Sequence, residues 1–267
     1  LASADVRPDV SEQRRFVQLV NAPLRQCGVE LRETGTDGGY PIFKVVSQAK
    51  GVSGRPKNLI FASHIKPDLR FRDAVNNHIE IVTNADKVVV YERQISFDEG
   101  LRWRDLQDWW ADLKCLTEEE AKRTLYKRLL DSLPSNSPPQ RLFFETYFKR
   151  FRQAIPVLPA LVPEVWLHWD PRTVQERGPD ALLRFRMDFL MLLPSNVRVV
   201  IEVDGKHHYA DNNGIADTGR YAAMMAADRE LRLAGYEVYH FGASELCGDI
   251  GRTVVTEFFE RLFKLYR

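Results

Sequence analysis

The feature that most constrains this chain is a pair of apolar segments that carry acidic residues. Residues 183–208 read LRFRMDFLMLLPSNVRVVIEVDGKHH, so two hydrophobic stretches flank a turn sequence at residues 194–196. Asp188 lies within the first stretch, and Glu202 and Asp204 lie near the end of the second. A charged side chain inside a hydrophobic strand is costly to bury without a partner. A bound metal ion or a chemical reaction is one reason to hold these carboxylates there.

The turn fixes how these two strands pair. If residues 194–196 form the turn, the strands are antiparallel and Asp188 falls roughly opposite Glu202. Because side chains alternate between the faces of a strand, Glu202, Asp204 and Lys206 point the same way. Carboxylates that are packed together repel one another and stay partly protonated unless a cation is bound. The pattern therefore predicts a site for Mg²⁺ or Mn²⁺, which prefer oxygen ligands.

Composition sets limits on the protein class. The 267 residues suffice for one large domain or two smaller ones, and a hydrophobic content of 44% supports ordinary globular cores. Lys and Arg number 38 against 37 Asp and Glu, which argues against a purely electrostatic nucleic-acid binder. The apolar runs are about one strand long, far below the roughly 18 residues of a spanning helix. We therefore expect no membrane partner. The three cysteines are widely separated and form no CxxC motif, so we expect reduced thiols and a cytoplasmic protein.

The proline-rich stretch at residues 133–139, LPSNSPP, is the best candidate for a domain boundary. Such a sequence stops a helix and favours an extended linker. We therefore expect domains at residues 1–132 and 133–267. The first reads as a mixed α/β domain, with helices at about 11–26, 100–113 and 117–131 and short strands near 41–46, 58–63, 79–82 and 87–91.

The second predicted domain has a clear order of elements. Apolar residues at helical spacing predict a helix at about 139–153. A short strand at 164–169 and the hairpin strands at 183–193 and 197–205 follow. The pattern then predicts a helix at 218–234, a strand at 236–241 and a helix at 252–266. The predicted order is α-β-β-β-α-β-α.

That order, with an Asp on the second strand and an acidic motif on the third, resembles the PD-(D/E)xK nuclease core over about 139–267. The local sequence motifs are similar to those of the branch of endonuclease-like domains related to very-short-patch-repair endonucleases. The motifs that carry the resemblance are MDF at 187–189, EVDG at 202–205, His208, DRELR at 228–232 and GYEV at 235–238. The resemblance implies an α/β fold with a restriction-endonuclease-like αβββαβ core. It also implies a divalent-metal-dependent endonuclease that hydrolyses phosphodiester bonds, with DNA as the expected partner.

The resemblance implies roles for individual residues. Asp188 and Glu202 would hold the Mg²⁺ or Mn²⁺ ion, helped by the carbonyl group of Val203, and Lys206 would orient the attacking water or stabilise the transition state. In some relatives a Glu on the first helix and a His after the third strand complete the site. Here the candidates are Glu145 for the former, and His208 or His207 for the latter.

The sequence departs from the family pattern at one position. The family pattern has a lysine two residues after the acidic residue, but the residue two places after Glu202 is Asp204. If the count starts from Asp204 instead, Lys206 stands at the lysine position. Either Asp204 or Lys206 could therefore take the place of the lysine. Two alternatives stay open on these grounds. One is a catalytically degenerate nuclease fold that binds nucleic acid or acts as a scaffold, and the other is a nuclease for RNA.

The first half of the chain carries a second resemblance. The motifs KPDLRFRDA at 66–74, NN at 76–77, EIV at 80–82 and GLRWRDL at 100–106 resemble the N-terminal domain of abortive-infection proteins of the AbiJ type. The resemblance covers roughly residues 10–115. It implies bacterial anti-phage defence, with a sensing or regulatory first domain and the nuclease-like domain as effector. A second copy of the chain or a further protein of the defence system is then a candidate partner.

Overall fold

The computed structural model describes residues 6–26, 29–47, 59–63, 65, 67–73, 78–166, 186–211 and 214–266. The chain divides into two compact units, Leu1–Ser53 and Gly54–Arg267. Within the described residues, no helix has the length and apolarity needed to cross a membrane.

The first unit is a helix followed by a β-hairpin. Helix α1 is Val10–Gln26, and strands β1 (Val29–Asp37) and β2 (Tyr40–Ser47) pair antiparallel. The Asn21 side chain of α1 joins the helix to the hairpin, because its amide nitrogen donates to Leu31 O at 2.9 Å and its oxygen accepts from Leu31 N at 2.7 Å. The predicted helix and the second strand are present. Strand β1 was not predicted, since its mostly polar sequence lacks an apolar alternation.

The second unit contains the remaining described elements. Its strands are β3 (Leu59–Phe61), β4 (Asp68–Asp73), β5 (His78–Thr83), β6 (Val89–Tyr91), β7 (Val162–Trp166), β8 (Arg186–Leu192), β9 (Arg198–Asp204) and β10 (Glu237–Gly242). Its helices are α2 (Trp103–Lys114), α3 (Glu118–Leu130), α4 (Pro138–Arg150), α5 (Thr218–Leu233) and α6 (Gly248–Leu265).

A six-stranded mixed sheet organises this unit. The strand order is β10-β9-β8-β7-β3-β6, in which β10 runs parallel to β9 and the other neighbours are antiparallel. Helices α4 and α6 pack through aromatic side chains. The ring of Phe143 lies 5.3 Å from that of Phe189 on β8 and 5.3 Å from that of Phe259 on α6, centroid to centroid. This aromatic core fixes the first turns of α4 against the centre of the sheet.

The structure confirms a mixed α/β fold, with six helices and ten strands among the described residues. From Pro138 onwards the described elements follow the predicted order: α4, β7, β8, β9, α5, β10 and α6. The predicted strand at 164–169 is described only as far as Trp166, and the start of the predicted strand at 183–193 falls on residues outside the described part.

The predicted domain boundary at 132/133 does not coincide with the division of the chain. Strands β3 and β6 precede this point, yet they extend the same sheet as β7, β8, β9 and β10. The proline-rich stretch ends α3 and precedes α4, as its composition predicts. It is not a free linker, because Ser132 and Leu133 are buried, with 3% and 4% exposure. The composition indicated where helices stop, but pairing between distant strands is not visible in it.

We expect the second unit, residues 54–267, to fold by itself and a fragment of residues 133–267 to lose its cooperative unfolding transition. The shorter fragment lacks β3, whose residues Leu59, Ile60 and Phe61 are all buried. It would therefore expose the edge of β7 and its apolar neighbours. Thermal unfolding followed by circular dichroism measures this. A fragment of residues 133–267 that unfolds as cooperatively as the longer one would contradict the continuous sheet.

Candidate active site

Two carboxylates lie side by side on the neighbouring strands β8 and β9. The antiparallel pairs end at Phe189 and Ile201, so Asp188 and Glu202 occupy the next opposed positions. The Asp188 carboxylate is 7% exposed and its Oδ2 atom accepts a hydrogen bond from the N–H group of Val203 at 2.8 Å. In the other direction, the N–H group of Asp188 lies 3.5 Å from Glu202 Oε2. The two side chains therefore fix the end of the hairpin as well as forming its acidic surface.

The surroundings of the pair disfavour two negative charges. Burial raises the pKa of Asp188, although hydrogen bonds from the Val203 N–H group and the Gln140 side chain partly oppose this. Burial and the neighbouring Asp188 carboxylate raise the pKa of Glu202 well above its ordinary value. A cation between the two carboxylates would remove this penalty.

The donor chemistry of the pair fits Mg²⁺ or Mn²⁺. Magnesium is commonly bound through one or two carboxylates and takes its remaining oxygen ligands from water and substrate phosphates. Asp188 and Glu202 supply two carboxylates of this kind. Across the part of the chain that the structure describes, no group of three or more His, Cys, Asp or Glu residues is arranged to hold a metal ion. A metal here would depend on the pair, a backbone carbonyl group and the substrate.

The carboxylate pair lies in a cavity of about 660 Å³, here called the carboxylate cavity. Its wall includes Asp131 and residues 133–137, which belong to the connection between α3 and α4. The segment predicted as a linker is thus part of the site. The cavity is lined by Asp131, Leu133, Pro134, Ser135, Asn136, Ser137, Pro139, Gln140, Arg186, Asp188, Glu202, Val203, Gly205, Lys206, His208 and Ala243.

Lys206 and His208 reach the carboxylate cavity because the chain turns sharply after β9. Gly205 precedes a single turn of 3₁₀ helix, Lys206–His208, and the N–H group of His208 donates to Gly205 O at 3.0 Å. The structure therefore brings five of the predicted site residues together, namely Asp188, Glu202, Val203, Lys206 and His208. The side chain of His207 lies outside the described residues.

Asp204 has different partners, although it is on the same strand face as Glu202. Its Oδ2 atom lies 2.8 Å from His240 Nδ1 on β10, and the other ring nitrogen of His240 lies 3.3 Å from Asp228 Oδ1 on α5. Arg232 extends the chain of contacts, with its Nε atom 3.1 Å from Asp228 Oδ1. The hydrogen bond to Asp204 raises the pKa of His240. Asp204 therefore connects the end of β9 to β10 and α5, and its Oδ1 atom is 3.8 Å from His208 Nδ1.

The structure separates Glu145 from these residues. Its carboxylate lies 3.6 Å from Arg141 Nη1, and it lines a second cavity of about 500 Å³ near Phe148 and Arg252. The physical reason is helical spacing, since a residue two positions after Phe143 lies well off the face that Phe143 buries. The prediction of Glu145 rested on resemblance and did not consider which face of the helix Glu145 occupies.

Gln140 takes the position on α4 that Glu145 was expected to fill. It is 4% exposed, lines the carboxylate cavity and donates a hydrogen bond to the Asp188 side chain. The sequence does contain a signal for it. Gln140 precedes Phe143, Phe144 and Tyr147 by three, four and seven residues, so it is a polar residue on the buried face of the helix.

Sequence reasoning also missed Glu164 on β7. This carboxylate is 0% exposed, and the pairs Pro163–Phe189 and Val165–Met187 place it level with Asp188 on the next strand. Burial raises the pKa of Glu164 to about 8, while Arg186 lowers it and Asp188 raises it. The signal was again an acid within an apolar strand, VPEVW, which is the criterion that had identified Asp188.

The family match lies within the first unit of the chain. Residues 1–45 match the family model of AbiJ N-terminal domain 3. No curated protein and no solved structure matches the chain. The matched residues overlap the predicted AbiJ-type resemblance at residues 10–45 and support it there. The motifs at 66–106, which had suggested this resemblance, lie outside the matched residues.

We expect Glu202→Gln to raise the unfolding temperature in EDTA at pH 8 by about 2–4 °C, equivalent to roughly 1 kcal/mol for a unit of this size. Folding raises the pKa of Glu202, so the protonated form of this side chain favours the folded state. This stabilisation is fully present below about pH 4 and is lost as the pH rises through the pKa of Glu202 in the folded protein. Glutamine resembles the protonated form, so the gain should disappear near pH 4. Differential scanning calorimetry at both pH values measures it.

The matched control is Glu257→Gln, which removes an exposed carboxylate from α6. Its unfolding temperature should follow that of the wild type at both pH values. A Glu202→Gln protein that is less stable than the wild type at pH 8 would contradict the electrostatic account.

Proposed function

We propose that the second unit is a Mg²⁺- or Mn²⁺-dependent nuclease that hydrolyses phosphodiester bonds, with DNA as the expected substrate. On this proposal it is the effector of an abortive-infection protein. The observation that carries the proposal is the Asp188–Glu202 pair, which lines the carboxylate cavity together with Lys206 and His208. The order of elements from α4 to α6 supports the further proposal of a restriction-endonuclease-like αβββαβ core.

Asp188, Glu202 and the carbonyl group of Val203 would hold the metal. When bound, such an ion supplies an activated water and neutralises the charge that builds on phosphorus. Asp188 is suited to this role because the Val203 N–H group and Gln140 restrict its position. Prior ordering of this kind reduces what must be rearranged during the reaction.

Lys206 and His208 would act directly on the substrate. The Lys206 ammonium group adds positive charge to a cavity that is also lined by the Asp188 and Glu202 carboxylates, and it would stabilise the negative charge on the pentacoordinate phosphorus group of the transition state. The imidazole of His208 would give a proton to the leaving oxygen, as histidines do near neutral pH. Asp204 would have an indirect part, because its contacts with His240 fix the strand end from which the Lys206–His208 turn begins.

We expect the purified protein to cleave plasmid DNA, linear DNA or RNA in Mg²⁺ or Mn²⁺, and EDTA to abolish cleavage. Asp188→Ala and Glu202→Ala should each remove detectable activity, because each deletes one of the two carboxylates that would hold the ion. Gel electrophoresis of substrates incubated with wild-type and variant proteins measures this. Comparing DNA with RNA in the same reactions also identifies the substrate.

The chain provides a matched control on the same helix that supplies Gln140. Glu145→Ala removes a carboxylate of the same type that lies outside the carboxylate cavity, so its activity should equal that of the wild type. Circular dichroism confirms that each variant is folded. Undiminished cleavage by folded Asp188→Ala would refute the assignment of the site.

A second candidate function is nucleic-acid binding or scaffolding without cleavage. It is favoured by the departure from the family pattern at Asp204, which stands two residues after Glu202 where the pattern has a lysine. DNA retained equally well in EDTA and in Mn²⁺, with no cleavage of any substrate, would support this alternative.

A further inference from the structure

Glu164 is a buried carboxylate near the carboxylate cavity that has no part in the proposed metal site. It lies in the middle of β7, all of whose residues are buried. Its backbone has φ of 53°, in the left-handed region that residues other than glycine rarely adopt. Strained conformations of this kind cluster at functional sites, where the surrounding structure maintains them. The position of Glu164 therefore calls for a functional reason.

The partner of Glu164 is Arg186, the first residue of β8. Arg186 Nε lies 3.0 Å from Glu164 Oε2, and the two side chains are 21% and 0% exposed. Arg186 also lines the carboxylate cavity, two residues before Asp188 on the same strand face. One side of the guanidinium group is thus against a fully buried carboxyl group, and the guanidinium also borders the cavity.

The guanidinium group acts on the carboxylate pair as well. It lowers the pKa of both Asp188 and Glu202, so it lies within electrostatic reach of the two residues proposed to hold the metal. A phosphate group bound between a metal and this arginine would be contacted from two sides. Arginine is suited to that task because its planar group presents several N–H donors in a fixed arrangement.

We propose that Glu164 is a positioning residue that holds the Arg186 guanidinium at the edge of the carboxylate cavity, where Arg186 binds a phosphate group of the nucleic acid. The nature of the ligand rests on the proposed function. A free arginine side chain loses rotamer freedom when it binds, and the ion pair removes that cost in advance. The strained and buried position of Glu164 serves to fix one side chain of the binding surface.

The test is the affinity for a fluorescently labelled DNA oligonucleotide, measured by anisotropy in EDTA, where the proposed nuclease is inactive. The measurement is made at pH 9, above the pKa of about 8 of Glu164, so that the wild-type side chain carries its negative charge. Arg186→Ala should raise Kd about tenfold, the size expected for a charge-assisted hydrogen bond. Glu164→Gln should raise Kd several-fold, although it removes a negative charge. Loss of a carboxylate through charge alone would tighten DNA binding, so the positioning role and a purely electrostatic role predict opposite signs.

The double variant Glu164→Gln/Arg186→Ala should bind no more weakly than Arg186→Ala, because Glu164 acts through Arg186. The control Glu145→Gln removes the same charge away from the carboxylate cavity, and its Kd should equal that of the wild type or be slightly lower. If Glu164→Gln does not fold, Arg186→Lys provides the test. It keeps the positive charge beside Glu164 but loses the planar group, and should also raise Kd about tenfold.

Unchanged or tighter binding by folded Glu164→Gln would overturn the inference, as would additive effects in the double variant or unchanged binding by Arg186→Lys. A wild-type protein that does not bind the oligonucleotide would also overturn it. A wild-type protein that binds DNA but does not cleave it in Mg²⁺ or Mn²⁺ counts against the proposed nuclease alone. Cleavage by the wild type with an unaltered Kd for Glu164→Gln counts against the positioning role alone.

Discussion

The hydrogen bond between the buried Asp188 carboxylate and the N–H group of Val203 is the contact on which the site depends. It joins β8 to β9 at the point where their backbone pairing ends, and it places Glu202 directly beside Asp188. Gln140 adds a second donor from α4, so a helix and two strands converge on one carboxylate. A buried carboxylate held in this way is costly when charged, and a cation is the simplest compensation.

Asp188 belongs to a row of ionisable residues that crosses four neighbouring strands. The row runs from Glu164 on β7 through Asp188 and Glu202 to His240 on β10. Its outer members have charged partners at close range, Arg186 for Glu164 and two aspartates for His240. Its central pair accepts hydrogen bonds from the neutral donors described above. A positive charge added beside the central pair would therefore stabilise the charged form of both carboxylates.

Turn chemistry and the alternation of side chains were enough to predict the Asp188–Glu202 pair, because both are local properties of the hairpin. Three other features needed the folded chain. The continuation of the sheet into β3 and β6 depends on pairing over long sequence distances, so composition placed a domain boundary inside one unit. Whether Gln140 or Glu145 reaches Asp188 depends on which face of α4 packs against the sheet. The role of Glu164 depends on β7 being next to β8.

Direct measurement of divalent-cation binding tests the central claim, that Asp188 and Glu202 form a cation site. Isothermal titration of the wild-type protein with Mn²⁺ should give a binding isotherm, and Asp188→Asn and Glu202→Gln should each abolish or strongly weaken it. These variants keep the shape of the side chains, so the loss would report the carboxylate charge. Equal Mn²⁺ binding by the wild type and both variants would contradict the account.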